Sequence, residues 1–203
     1  MFENKEQGGR SMIEMLGVLA IIGVLSVAGI AGYSKAMQTW KLNKWKAQIT
    51  DLVFSTKEIY KNERHFGKAD EDVLPTLLEL GAIPKDMLDE KRRDMFGNSV
   101  SMQISNAALS DGSDFWRLAI FFGTQPSTTA EMNCRELYTF PLADPDVHAV
   151  VNWANYYRVC GKYTDEEYKK KYPCSEYNMQ QVADKCEICR EQACTLILLY
   201  RND

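Results

Sequence analysis

The hydrophobic pattern divides the chain into three stretches. From Met15 to Tyr33 run 19 consecutive uncharged residues, with Ser26 the one polar interruption before Tyr33. At about 1.5 Å of rise per residue such a run is about 28 Å long as a helix, the thickness of a bilayer's hydrocarbon core. Beyond it Leu42, Trp45, Ile49, Leu52, Val53, Thr56, Ile59 and Tyr60 recur at three- and four-residue spacing. Lys44, Lys46, Gln48, Asp51 and Lys57 lie between them, and no proline interrupts, so an amphipathic helix is expected. Together these stretches predict one helix from about Ser11 to Asn62, transmembrane over residues 15–33 and amphipathic over 34–62. A removable secretory signal is the competing reading. Its apolar stretch is shorter, about 7 to 15 residues, and ends at a small-residue cleavage site, whereas here the helical pattern continues.

Past Asn62 the pattern changes. The polar stretch KNERHFGKADED leads into VLPTLLELGAIPKDML, a short helix with Asp72 as N-cap, Leu74, Leu77, Leu78 and Leu80 as its apolar positions, and Gly81 and Pro84 at its close. MFGNSVSMQIS reads as a turn at Gly97-Asn98 and a strand alternating at Val100, Met102 and Ile104. FWRLAIFFG, from Phe115 to Gly123, is apolar throughout, as an interior strand requires. Thr128 with Glu131 suggests a capping box for a helix carrying Cys134 and Leu137. Cys194 to Tyr200 forms another buried strand. The fold class is therefore α+β: a long helix against an antiparallel sheet, joined by long connections, without internal repeats or low-complexity tracts.

Composition adds the surroundings. A chain of 203 residues suits a single globular head plus a membrane segment. Mean hydropathy is -0.34 despite the apolar run, so the remainder faces water. The net charge of -4 supplies no basic field, and no specific nucleic-acid partner is expected. Lys5, Arg10 and the starting amine precede the apolar run while Lys35, Lys41, Lys44 and Lys46 follow it, so charge asymmetry does not set orientation. The 6 cysteines do, because all of them (Cys134, Cys160, Cys174, Cys186, Cys189 and Cys194) lie in the final third. Disulfides persist in oxidising compartments such as the bacterial periplasm, which places the head outside the cytoplasm.

Cys160 and Cys174 flank TDEEYKKKYP, a short helix capped by Thr164 and stopped at Pro173, so a local bridge fits. Cys186-Glu187-Ile188-Cys189 is open to three readings. A CxxC serves redox chemistry when it opens a helix in a thioredoxin-like unit, but no βαβ pattern precedes it. It is half of a zinc site when further ligands exist, but only His65 and His148 are available. Structural disulfides are the expected use, with pairing among Cys160, Cys174, Cys186 and Cys189 left open between local and crossed bridges. No metal and no cofactor are expected. There is neither a nucleophile elbow nor a phosphate-cradling glycine loop, and the two histidines have no nucleophile in sequence context, so no enzyme activity is expected. Trp153, Tyr156, Tyr157 and Tyr163 in NWANYYRVCGKY suit either an adhesive or subunit-contact patch or core packing.

One residue stands apart: Glu14, a carboxylate at the threshold of the apolar run. Gly8-Gly9, then Arg10-Ser11-Met12-Ile13, then Glu14 and an unbroken apolar helix resemble the type IV pilin superfamily of prepilins and pseudopilins. In that superfamily a short polar leader ends in Gly, and Glu is the fifth residue of the mature chain. The resemblance implies a leader over residues 1–9, a helix over 10–62 and an extracytoplasmic head over 63–203. It further implies cleavage between Gly9 and Arg10 by a membrane-embedded prepilin peptidase, with methylation of the new amine on Arg10. Arg10 departs from the apolar first residue usual in the family. LLELGAIPKDM followed by DMFGNSVSM, LAIFF followed by TTAEMNCREL, and the terminal ACTLILLY are similar to the type IVb branch, which includes the toxin-coregulated pilin. That likeness implies a bridge between Cys134 and Cys194.

A charged residue at the centre of a membrane helix costs roughly 2.5 to 3.5 kcal/mol, less near its end. In a bundle of identical helices a neighbour's free amine on Arg10 would offset the cost of Glu14 and fix axial register. The guanidinium of Arg10 in the same chain, four residues earlier, is a competitor; snorkelling to lipid headgroups is the simpler alternative. Gly17, Gly23, Gly29 and Gly32 allow either close helix approach or nothing beyond ordinary glycine tolerance. The implied function is a non-enzymatic subunit of a pilus or pilus-like filament, homo-oligomeric or mixed. It is stored in the bacterial inner membrane, then extracted by a cytoplasmic ATPase through a platform protein. The alternatives are a pseudopilin of a type II secretion system and, from another class, a membrane-tethered thiol-disulfide oxidoreductase using Cys186 and Cys189.

Overall fold

Helix α1 spans Arg10–Tyr60, 51 residues without interruption. The structure, a computed structural model, describes residues 10–61, 71–108, 114–140, 146–161, 164 and 166–202, with side chains beginning at Met12. Gly9, Asn62, His65 and Tyr163 lie outside the described residues. The chain divides between Lys44 and Trp45 into two compact units.

In the first unit the helix is exposed on all sides from Met12 to Lys41 apart from half-buried Met37. The helix is long and apolar enough to cross a membrane. Ser26 Oγ donates to the Ile22 carbonyl at 2.7 Å, so the one polar interruption is satisfied within the helix, as a lipid environment demands.

In the second unit the stripe predicted from spacing is buried from Trp45 to Thr56, whereas Ile59 is exposed and Tyr60 half-buried. Trp45, Ile49, Leu52 and Val53 turn inward with Gln48 and Thr56, while Ala47, Thr50, Asp51, Phe54 and Glu58 face out. They meet an antiparallel sheet of β1 (Ser99–Ala108), β2 (Asp114–Thr124), β3 (Val147–Asn152), β4 (Tyr157–Cys160) and β5 (Cys194–Asn202), in the spatial order β1-β2-β5-β3-β4. The last strand of the chain is thus the middle of the sheet. Val100, Met102 and Ile104 of β1, Leu118, Ile120 and Phe122 of β2, and Leu196, Leu198 and Tyr200 of β5 join the α1 stripe in the main core. Ala119, Ala149, Val151, Ile197 and Leu199 form a second cluster on the other face, with Ala119 opposite Leu199 and Phe121 opposite Ile197. Burial on both faces is why LAIFF and TLILLY read as unbroken apolar runs.

Four further helices complete the head: α2 (Leu74–Glu79), α3 (Thr128–Leu137), α4 (Glu166–Lys171) and α5 (Met179–Glu191). Two caps differ from the sequence reading. Asp72 does not cap α2, whose N-cap position is Val73; instead Asp72 Oδ1 accepts from the Leu74 N–H at 3.2 Å and the Met102 N–H at 3.0 Å, tying α2 to β1. The cap of α3 is Ser127, one residue earlier than expected, its Oγ accepting from Ala130 N–H at 3.0 Å. Glu131 therefore falls outside a capping box and serves two arginines. The hydroxyl of Thr164, ahead of α4, donates to the His148 carbonyl at 2.6 Å. The expected turn at Gly97 is present, with φ +83.

Both outer strands are met along their open sides by short pieces of chain. Gln103 and Ser99 of β1 make isolated bridges to Asp72 and Arg93, and Val159 of β4 makes one to Ser175. Gly161 closes β4 against the bulge in β3, where any Cβ would lie 1.8 Å from the Val147 carbonyl oxygen. Within α1 the register has a direct test. Leu52→Ala, at a fully buried position, is expected to cost the head about 2 to 5 kcal/mol in urea unfolding, and Phe54→Ala, at a position 67% exposed, about 0.5 or less.

Candidate assembly helix and disulfide framework

Glu14 lies in the second turn of α1, on exposed helix surface, one turn after Arg10. An acid close to a helix N-terminus is favoured by the partial positive charge there. Gly17, Gly23, Gly29 and Gly32 have no atom within 4 Å of an added Cβ, so nothing among the described residues requires them to be small.

At the start of the head, α1 is fastened by its own polar groups. Trp45 Nε1 donates to Asp94 Oδ2 at 2.8 Å, and the indole stands edge-on to Phe122 at 5.3 Å and Phe96 at 5.7 Å. Asp94 also accepts from Phe96 N–H at 2.9 Å, Asn98 N–H at 3.0 Å and Asn98 Nδ2 at 2.9 Å, forming the turn before β1. Burial pushes its carboxyl above the ordinary 3.8, with the hydrogen bonds pulling the other way. Further along, Gln48 Nε2 reaches Asp86 Oδ1 at 3.1 Å, Lys46 pairs with Glu136, and Lys57 pairs with Asp146 at 2.5 Å.

The six cysteines form three bridges: Cys134 to Cys186, Cys160 to Cys174 and Cys189 to Cys194. The local 160–174 bridge agrees with the sequence reading. The pairing of Cys134 with Cys194 implied by family likeness is corrected. Val182, Cys186 and Cys189 share the inward face of α5 at four- and three-residue spacing, and α5 lies along α3. Cys186 thereby meets Cys134, Cα to Cα 5.6 Å. Cys189, at the end of α5, meets Cys194 at the start of β5 across a tight connection, at 5.4 Å. Asn152 Nδ2 sits 3.9 Å from Cys134 Sγ and 3.6 Å from Cys189 Sγ, so the two bridges are packed close together. The CxxC motif therefore does not close on itself. Among the described residues no group of His, Cys, Asp or Glu could hold a metal ion.

His148 is a buried strand residue at the β3 bulge, its carbonyl accepting from Gly161 N–H at 2.9 Å and from Thr164. The aromatic stretch splits. Tyr157 is buried, and its carbonyl accepts from the Tyr138 hydroxyl at 2.7 Å; that hydroxyl also accepts from Asn152 N–H at 2.9 Å, and burial pushes its phenol far above the ordinary value. Trp153 and Tyr156 are exposed, with ring centroids 5.3 Å apart, and Tyr156 has φ +55. Sequence reasoning missed Asp94 and Asn152 and gave Glu131 a capping role in place of its pairing with arginines. Glu131, buried between α3 and α5, accepts from Arg190 Nε at 2.8 Å and pairs with Arg135. The available signals were Asp94 ahead of Phe-Gly-Asn, an Asx-turn pattern, and Glu131 four residues before Arg135.

No protein-family model, curated protein or solved structure matches the chain. The class that the chain itself defines is an α+β protein with one long N-terminal helix, apolar enough in its first part to cross a membrane. The second part of that helix packs on a disulfide-bridged, five-stranded antiparallel head.

Two measurements check this framework. Peptide mapping under non-reducing conditions is expected to return 134–186, 160–174 and 189–194 and no peptide joining Cys134 to Cys194. By loop entropy these bridges stabilise by about 4, 3 and 2 kcal/mol respectively, so the Cys134→Ala/Cys186→Ala variant should unfold most easily. Asp94→Asn turns an amide toward two donors and is expected to cost about 1 to 3 kcal/mol at pH 7. Because the folded carboxyl titrates above its unfolded value of 3.8, its stabilising protonation is complete below 3.8 and lost as pH rises through the folded value. The stability gap between the native chain and Asp94→Asn should therefore widen on acidification, measured by urea unfolding at neutral and acidic pH.

Proposed function

We propose that the chain is a structural subunit of a type IV pilus or pilus-like filament, polymerised through α1. The reading rests on one observation: Arg10, which follows Gly9 in the sequence, and Glu14 stand at the start of an uninterrupted helix whose first part offers apolar side chains on every side. A helix exposed all round has to be covered, by lipid while stored and by neighbouring helices once assembled. Prepilin peptidase cuts after Gly9, and the subunit waits in the bacterial inner membrane with its head outside the cytoplasm. The platform protein and ATPase then move it into the filament. The fact that every cysteine is bridged supports an oxidising location for the head. Glu14 pairs with the free amine of a neighbour's Arg10 and sets the axial step. The pseudopilin alternative shares this chemistry and differs in the extent of the filament. The oxidoreductase alternative loses its main support, since Cys186 and Cys189 lie in different bridges.

N-terminal mass analysis of protein extracted from membranes is expected to find a mature chain beginning at Arg10; a chain that keeps residues 1–9 overturns the reading. Glu14→Ala is expected to be cleaved normally but to enter filaments at least about tenfold less, the effect of losing a charge pair of about 1.4 kcal/mol or more. Normal filament yield from this variant refutes the register role.

A further inference from the structure

Between Glu14 and Asp51 the helix carries no acidic residue, whereas Lys35, Lys41, Lys44 and Lys46 crowd the stretch just after the apolar run. Lys46 is paired with Glu136 in the head; the other three belong to the first unit. Tyr33, Met37, Trp40 and Lys44, spaced four, three and four apart, lie on one helix face. Tyr33 is 66% and Trp40 56% exposed, and Lys44 Nζ stands 5.5 Å from the centre of the Trp40 ring. Tyr and Trp with lysines beside them suit the boundary between hydrocarbon and water, where amphipathic rings settle.

Distances along the axis agree. Met12 to Tyr33 covers about 32 Å, filling a hydrocarbon core of about 30 Å. Lys35 then lies about 3 Å, Trp40 about 10 Å and Lys44 about 16 Å past Tyr33, against a headgroup layer of about 5 to 7 Å. Side chains on a helix lean toward its N-terminus, which here is toward the bilayer. A lysine therefore reaches back by about 5 Å, and an average tilt of about 20° brings it closer. All three ammonium groups then fall within about one Debye length, 8 to 10 Å, of the phosphates. Lysines on the translocated side oppose membrane insertion, so their presence there calls for a use.

We propose that Tyr33–Lys44 is a collar that binds the headgroups of anionic phospholipids in the leaflet on the side of the head. The proposal rests on α1 spanning the membrane and not on filament assembly. The lysines supply charge, and the ring of Trp40, held beside Lys44, sets depth.

The test uses the full chain in phosphatidylcholine vesicles containing a minority of phosphatidylglycerol, with bromine near the headgroup of one lipid or the other. Quenching of Trp40 is read as the difference from Trp40→Phe. Brominated phosphatidylglycerol should quench several-fold more per mole than brominated phosphatidylcholine. The Lys35→Gln/Lys41→Gln/Lys44→Gln variant should lose that preference by at least about fivefold, as should the native chain at high salt. Equal quenching by the two lipids overturns the collar, as does no quenching by either while amide exchange finds residues 15–33 protected; both leave the membrane span standing. Free exchange over residues 15–33 overturns span and collar together. A preference that survives the triple substitution also overturns it.

Discussion

A buried hydrogen bond, from the indole of Trp45 to the carboxylate of Asp94, holds together the parts of the head that are far apart in sequence. Trp45 is the first residue of α1 to be fully buried, so this contact sets the rotation of every inward residue that follows. The same carboxylate organises the turn that launches β1. Helix, turn and sheet thus share one acceptor. Its burial is costly, which the four donors offset; removing any one of them leaves a charge short of partners in a low-dielectric place.

The remaining head is arranged around the strand made last. β5 lies in the middle of the sheet, between β2 and β3, so the fold is incomplete until the C-terminal residues arrive. Two bridges and a buried acid hold α5, the element immediately before β5. Cys186 joins α5 to α3, Cys189 joins it to β5, and Arg190 closes on Glu131. Covalent links thus strengthen the region from which the strand with sequence-distant partners emerges.

Regular periodicity made much of this visible in the sequence. The inward stripe of α1, the alternation of Val100, Met102 and Ile104, and the double-sided apolar runs of β2 and β5 follow from burial alone. What stayed hidden depended on single atoms or on distant partners. The caps at Asp72 and Thr128 were each misplaced by one position because neighbouring hydroxyls and carboxylates compete for the same N–H groups. The β3–β4 hairpin was missed because Tyr156 occupies a backbone region where turn rules look for Gly or Asn. There Asn155 steadies the turn by accepting from Tyr157 N–H and donating to the Lys185 carbonyl. Helix α5 hid behind its CxxC, which drew attention to thiol chemistry instead of to the spacing of Val182, Cys186 and Cys189. Disulfide pairing cannot be deduced from spacing, and the family likeness pointed Cys134 to the wrong partner. The Gly9, Arg10 and Glu14 pattern was legible at once, and to it the fold adds that Glu14 lies on exposed helix surface one turn after Arg10.

The bridges from Asp72 and Arg93 to β1, and from Ser175 to β4, carry a consequence for any second chain that approaches the sheet. A bare strand edge invites another chain to continue the main-chain ladder, and such growth is locked to the spacing of strands, about 4.8 Å, and hard to reverse. Where those edges are occupied, a second chain would meet the head through side chains, and contacts of that kind slide, tilt and release without breaking a hydrogen-bonded sheet.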